Sequence, residues 1–162
     1  MTLGSTGISV VTELNNYGLC KVGRWVTSSH KSVEHLRSVC PTGINYEISP
    51  EWRTKRDVVY ALVFGVSVRY VGETSTGMAA RFNGYRYGNP LVSDTDNRVK
   101  LAITQALAEG ADVEVWACCP SADFRLPSGE VIPVPASKPL EEHLIAIFCP
   151  VLNLKNLRAA LP

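Results

Sequence analysis

Tyr60 and Tyr70 lie ten positions apart in "VVYALVFGVSVRYVGE", on either side of a turn near Gly65 to Ser67, and Arg81 follows in "TGMAARFNGYRYG" with Tyr85 four residues further on. On paired strands the two phenols can point to one side. At i, i+4 on a helix the guanidinium and Tyr85 share a face. Taken alone, these are two core tyrosines and a surface arginine. Far downstream, "LEEHLIAIFCPVLN" adds the carboxylates Glu141 and Glu142 and, three residues after Pro150, Asn153. The set then combines a permanent cation able to donate two hydrogen bonds, hydroxyl groups, and hard oxygen donors of the kind divalent cations take.

These residues need elements to hold them. "DVVYALVF" and "VRYVGE" are β-rich runs joined by "GVS", which predicts an antiparallel hairpin. "TGMAARFNGYRYG" predicts a short helix with a weak point at Gly84. "TDNRVKLAITQALAEG" predicts a long one, with Val99, Ala102, Ile103, Ala106 and Leu107 at helical spacing, Ser93 or Asp94 as its cap and Gly110 at its end. "DVEVWACC" is a third strand, and "PSADFRLPSGEVIPVPASKP" a long loop with a small excursion of strand. In the last helix Leu140, Leu144, Ile147 and Phe148 share a face and Pro150 stops it. The order β-β-α-α-β-α is that of an α+β layer, a small mixed or antiparallel three-stranded sheet flanked by helices.

Upstream, "ISVVTEL" and "GLCKVGRWV" predict two strands around "NNYG", a hairpin turn in which Asn and Gly tolerate positive φ. A short helix, "KSVEHLRSV", follows, with Ser28 and Ser29 as caps. Residues 1–56 therefore form an N-terminal β-hairpin and helix arm, packed on the main body or engaged in contact with a macromolecular partner or in oligomerisation. Residues 57–153 form the main domain, and 154–162 a tail.

With 162 residues, 46% of them hydrophobic, the chain suits one domain with a core, and a formal net charge of +1 excludes a polycationic coat for nucleic acid. Five cysteines, an odd count without CxxC spacing, indicate reduced thiols and a cytoplasmic protein. His30, His35 and Cys40 match no zinc-ligand spacing and are read as part of a solvated helix with one buried cysteine. No apolar run reaches the ~20 residues that cross a bilayer.

The ordered combination resembles the GIY-YIG endonucleases. "VVY" at 58–60 matches the first motif and "YVG" at 70–72 the second; the helical Arg81, the helical Glu141 and the "P-x-x-N" ending follow in the family's order. The resemblance spans residues 57–153 and is nearest to the branch containing phage endonuclease II and related type II restriction endonucleases. That branch also carries a strand-forming segment before the first motif.

The resemblance implies a metal-dependent DNA endonuclease, a hydrolase that cuts phosphodiester bonds in duplex DNA with one divalent metal, Mg²⁺ or Mn²⁺. In that reading Glu141 binds the metal, chosen over Glu142 because it stands nine residues before Pro150. Arg81 holds the phosphate oxygens. Tyr60 positions or deprotonates the attacking water, and Tyr70 and Tyr85 hydrogen-bond around it. Gly72 permits close packing at the end of its strand, and Asn153 braces the loop after the catalytic helix. His143 is given no role. Val58 replaces the glycine of the first motif. Glu73 stands where many relatives carry a lysine, and is a second metal ligand, a base, or the partner of a nearby arginine.

DNA contacts are expected from Arg53, Lys55 and Arg56, from Arg86, and from Arg98 and Lys100, since phosphate binding needs several cations on one face. Because one such site cuts one strand, duplex cleavage implies a homodimer or homotetramer, or sequential nicking. A nuclease for branched or damaged DNA, an inactive DNA-binding relative and an unrelated α+β interaction domain are the alternatives.

Overall fold

Val58–Phe64 carries an apolar or aromatic side chain at every position, the pattern of a strand covered on both faces. In the computed structural model, which describes residues 9–28, 43–89 and 91–153, it is the wholly buried strand β3. It pairs antiparallel with β4 (Ser67–Thr74) on one side and β5 (Val113–Cys118) on the other. These are the three expected strands. The sheet extends beyond them: β1 (Cys20–Thr27) pairs antiparallel with β5 and with β2 (Ile44–Ile48), giving the order β2-β1-β5-β3-β4.

The first expected strand is instead a helix, α1 (Val10–Asn16). Ser9 Oγ accepts a hydrogen bond from the Thr12 amide at 3.3 Å, capping it. Val10, Leu14 and Tyr17 recur at helical spacing and pack into the core, so their period overrides the β preference of Ile8, Val10 and Val11. "NNYG" closes this helix rather than turning a hairpin, with Gly18 at φ 78°. The N-terminal antiparallel pair is β1 with β2. The expected helix over 31–39 and its Ser29 cap lie outside the described residues.

The remaining helices are α2 (Met78–Arg86), unbroken at Gly84, α3 (Asp94–Ala108) and α4 (Ser137–Phe148). Ser93 Oγ caps α3 by accepting from the Asp96 amide at 3.1 Å. Between β5 and α4 the strand excursion is a separate antiparallel hairpin, β6 (Ser121–Arg125) and β7 (Val131–Pro135).

Alternation along β3 separates the two faces of the sheet. Val58, Tyr60, Leu62 and Phe64 face α2 and α3 in a core shared with Trp25, Tyr46, Phe82 and Ile103. Val59, Ala61 and Val63 face the opposite way, against Leu14 of α1 and Leu144 of α4. On α4 the packed stripe runs through Leu140, Leu144, Ile145 and Phe148, whereas Ile147, expected on it, is 40% exposed. At 100° per residue that stripe also passes through Glu141 and leaves Glu142 outside. The four described cysteines, Cys20, Cys118, Cys119 and Cys149, are free thiols; Cys40, His30 and His35 lie outside the described residues. No helix among the described residues is long and apolar enough to cross a membrane.

Candidate functional site

Tyr60 and Tyr70 share the α2 face of the hairpin but are not direct partners. A register irregularity between Leu62 and Val63 pairs Tyr70 with Leu62 and sets Tyr60 opposite Gly72. The two rings are therefore diagonal neighbours, with centroids 6.3 Å apart. Gly72 is what lets Tyr60 lie flat across the adjacent strand: a Cβ there would come within 2.6 Å of the Tyr60 hydroxyl and 2.9 Å of the Tyr70 ring. Replacing Gly72 with alanine is expected to lower stability by about 1–3 kcal/mol through overpacking, read as a lower urea midpoint with an unchanged slope.

The Tyr60 hydroxyl shares a 2.5 Å hydrogen bond with that of Tyr85 and accepts another from Arg81 Nε at 3.3 Å. The guanidinium lies 4.3 Å over the Tyr85 ring, and its Nη1 is 2.9 Å from Asp96 Oδ1 on α3. Arg81 is thus held by two phenols from β3 and α2 and by a carboxylate from the next helix. Tyr60 and Tyr85 are fully buried and Tyr70 nearly so, while the Arg81 side chain stays 27% exposed. Of the side chains in the cluster Arg81 is the most exposed, ahead of Asp96 at 16%.

Burial, and the proximity of Tyr70, push the Tyr60 hydroxyl well above the ordinary tyrosine pKa, outweighing Arg81 and the bond to Tyr85. Tyr85 is pushed the same way by burial and by the neighbouring phenols. For Arg81, burial opposes the charge, but the oxygens of Tyr60, Tyr85 and Tyr70 more than offset it, so the cation persists at any working pH. Both buried phenols stay protonated. Of the two roles expected for Tyr60, this environment suits holding a group in place and opposes taking a proton.

Glu141 lies on the other side of the hairpin, on α4, which packs against the Val59, Ala61 and Val71 face. Its side chain is 12% exposed and accepts from Lys138 Nζ at 2.5 Å, whereas Glu142 is exposed. Glu73, opposite Val59 in register, points to this same side and accepts from Ser137 Oγ at 3.4 Å. Its partner is a serine at the start of α4, not the arginine that sequence suggested. Lys138 is held above the ordinary lysine pKa by its hydrogen bond to Glu141, against the opposing effect of burial, and the charges of Glu141, Glu73 and Glu142 add to this. No hydrogen bond, ion pair or ring contact among the described residues joins the Glu73–Glu141 group to the Arg81 group. The structure therefore assembles two clusters, one on each face of the β3–β4 hairpin.

Asn153 ties them to the same strand. Its Oδ1 accepts from the Val71 amide at 2.9 Å and its Nδ2 donates to the Val71 carbonyl at 2.7 Å. The side-chain amide thus pairs with the outer edge of β4 as another strand would, and Leu152 N donates to Arg69 O at 3.0 Å beside it.

The expected cationic contacts divide. Arg53, Lys55 and Arg56 are exposed in the loop that precedes β3, where the Arg53 carbonyl accepts from Ala79 N at the start of α2 and Arg56 Nε donates to Ser75 O. Arg86 is half-buried against Tyr87. Arg98 is bound to Asp94 and to the Leu152 carbonyl, joining α3 to the chain before Asn153. Lys100 corrects its expected surface place: it is 6% exposed and donates to the Gly88 carbonyl just past the end of α2, where a buried ammonium offsets the helix's negative end.

Asp96, Ser137 and Lys138 escaped the sequence reading. Asp96 stands in the first turn of a helix, where a carboxylate is ordinary helix chemistry, and only the packing of α3 on α2 gives it a partner.

No family model matches the chain, and neither does any curated protein. Among solved structures it is similar to that of a bacteriophage T4 EndoII mutant, with a TM-score of 0.60 and 22% identity, covering 88% of this chain and 97% of that one. It is also similar to restriction endonuclease HPY188I in complex with product DNA, with a TM-score of 0.47 and 17% identity, covering 88% of this chain and 80% of that one. The EndoII likeness is one of fold, an α+β arrangement of an antiparallel sheet flanked by helices.

Proposed function

We propose that the chain is a GIY-YIG-type DNA endonuclease of restriction type, hydrolysing phosphodiester bonds in duplex DNA with Mg²⁺ or Mn²⁺. The observation that carries this reading is Arg81, a permanent cation held by Tyr60, Tyr85 and Asp96 while its side chain stays 27% exposed. A pre-set guanidinium of this kind receives phosphate oxygens without first paying to order itself. The fold shared with EndoII and the ordered motif residues support the same reading independently.

In the proposed reaction a water oxygen bonds to phosphorus as the water gives up a proton to solvent, and the bond to the 3′ oxygen breaks, that oxygen leaving as a hydroxyl protonated from solvent. Arg81 binds the non-bridging oxygens and stabilises the charge that builds on them. Tyr60 and Tyr85 keep the guanidinium in place, and Tyr70 packs beside them. Because β4 is the edge strand, a DNA backbone following that edge meets Arg81 on one face and Glu141 on the other.

The donors around Glu141 fit a hard cation that keeps most of its waters and takes one or two carboxylates. The described residues contain no cluster of three or more metal-binding side chains; Glu141 is the proposed ligand, and Glu73 is a second carboxylate on that side of the hairpin. When bound, Mg²⁺ supplies charge neutralisation and polarisation of the phosphate. Arg53, Lys55 and Arg56 remain the cations best placed to extend phosphate contact, since they are exposed beside the start of α2.

Incubating purified protein with supercoiled plasmid and Mg²⁺ or Mn²⁺ is expected to give nicked and linear DNA, with no cutting in excess chelator. Discrete bands from long unmodified DNA would establish a recognition sequence. Preference for branched or damaged DNA would reassign the role to repair, and intact plasmid under every metal condition would overturn the nuclease reading.

A further inference from the structure

Lys138 is the second residue of α4, a helix that starts after Ala136 with no side-chain cap and no acidic residue in its first turn. A cation there faces the positive end of the helix dipole. Lysine before glutamate is also the weaker order for a pair of opposite charges along a helix. Helix stability therefore does not account for an ammonium at this position, whereas the groups around it do.

The Lys138 Nζ is 2.5 Å from Glu141 Oε2, and the charges of Glu73 and Glu142 act on it as well. Ser137 Oγ, on the residue before, donates to Glu73 and so brings that carboxylate to the same start of α4. The three carboxylates outnumber the ammonium by two formal charges, the charge of one divalent cation. The two ends of the ion pair also differ in freedom. Glu141 is 12% exposed and sits in the stripe of Leu140, Leu144, Ile145 and Phe148, while the Lys138 side chain is 62% exposed. Packing holds the carboxylate, but the lysine can swing into water without repacking the core.

We propose that Lys138 is the resident counter-ion of the Glu141 site: it holds the carboxylate when no divalent cation is bound, and yields it when one binds. The proposal rests on the reading of Glu141 as the metal ligand. Glu141 is then never left as an unpaired, largely covered charge, a state that is costly when one partner of such a pair is missing. A cation that enters must displace the ammonium, and the expected cost to its affinity is about 2- to 5-fold, the scale of an exposed ion pair. Lys138 therefore sets the concentration of divalent cation at which the site fills.

Calorimetric titration of the full chain with Mn²⁺ alone, without DNA, tests this independently of cutting. Lys138→Met is expected to bind Mn²⁺ about 2- to 5-fold more tightly than the native chain, Lys138→Gln to behave alike, and Glu141→Gln to lose the binding. The exchange itself is read by NMR on protein whose lysines carry ¹³C-methyl groups, which keep the charge. The signal missing from Lys138→Met belongs to Lys138, and it is expected to move as Mg²⁺ is added to the native chain but to stay fixed in Glu141→Gln.

Unchanged or weaker Mn²⁺ binding in both Lys138 variants, with binding lost in Glu141→Gln, overturns the proposal and leaves the metal assignment standing. Tighter binding in the variants without movement of the Lys138 signal reduces the lysine to a distant charge and overturns the exchange. Equal Mn²⁺ binding by the native chain and Glu141→Gln takes the metal from Glu141, and overturns the assignment and the proposal together.

Discussion

Glu141→Gln should leave a protein that folds and binds DNA but cuts it at least about 10³-fold more slowly, because a bound divalent cation supplies several kcal/mol of transition-state stabilisation and each 1.36 kcal/mol is a factor of ten. The substitution keeps the size of the side chain and its place in the packed stripe of α4. It weakens the ion pair with Lys138, whose side chain is 62% exposed, and such pairs contribute about 1 kcal/mol or less. Affinity for duplex DNA rests on cations meeting phosphates, and Glu141 is not one of them. Single-turnover cutting and filter binding on the same preparation separate the two effects. Unchanged cutting would transfer the role to Glu142 or remove the metal from this helix altogether.

The second large effect concerns Arg81. Arg81→Ala is expected to slow cutting by about 10³-fold or more, the scale on which a positioned arginine acts on a phosphoryl transition state. Arg81→Lys should recover little, since an ammonium cannot donate to Tyr60, pair with Asp96 and sit over the Tyr85 ring at once. Asp96→Ala removes only the tether, and a guanidinium displaced by an ångström is expected to lose about 10²-fold. The decisive measurement is the double variant: Asp96→Ala should cost almost nothing more once Arg81 is alanine, because Asp96 acts through it. Additive losses would mean that Asp96 acts on its own.

The strands around the site were legible because a run apolar at every position, a tight turn and a second β-rich run specify a hairpin by local chemistry alone. The diagonal placing of Tyr60 and Tyr70 was not, since it follows from one irregularity opposite Arg69 that no side-chain pattern announces. The N-terminal strand was misread for a related reason: β-branched composition spoke for extended chain, while Val10, Leu14 and Tyr17 kept a helical period. The motif residues were visible as letters in order. Their division between two faces was not, because which way Glu73 points depends on strand parity and which way Glu141 points depends on the phase of α4. Asp96 and Lys100 were hidden most completely, since each finds its partner across a helix–helix contact.

The Asn153 clamp on Val71 also has a dynamic meaning. Amides on an edge strand ordinarily exchange their hydrogens with water quickly, because local opening there disturbs little else. The Val71 amide, bound to a side chain delivered from 82 residues away, is released only when the chain after α4 lets go, so its deuterium uptake should be slow and should report that release. Asn153→Ala should speed it while leaving the amides of β3 protected. One amide would then serve as a clock for how often the two faces of the candidate site are held in register.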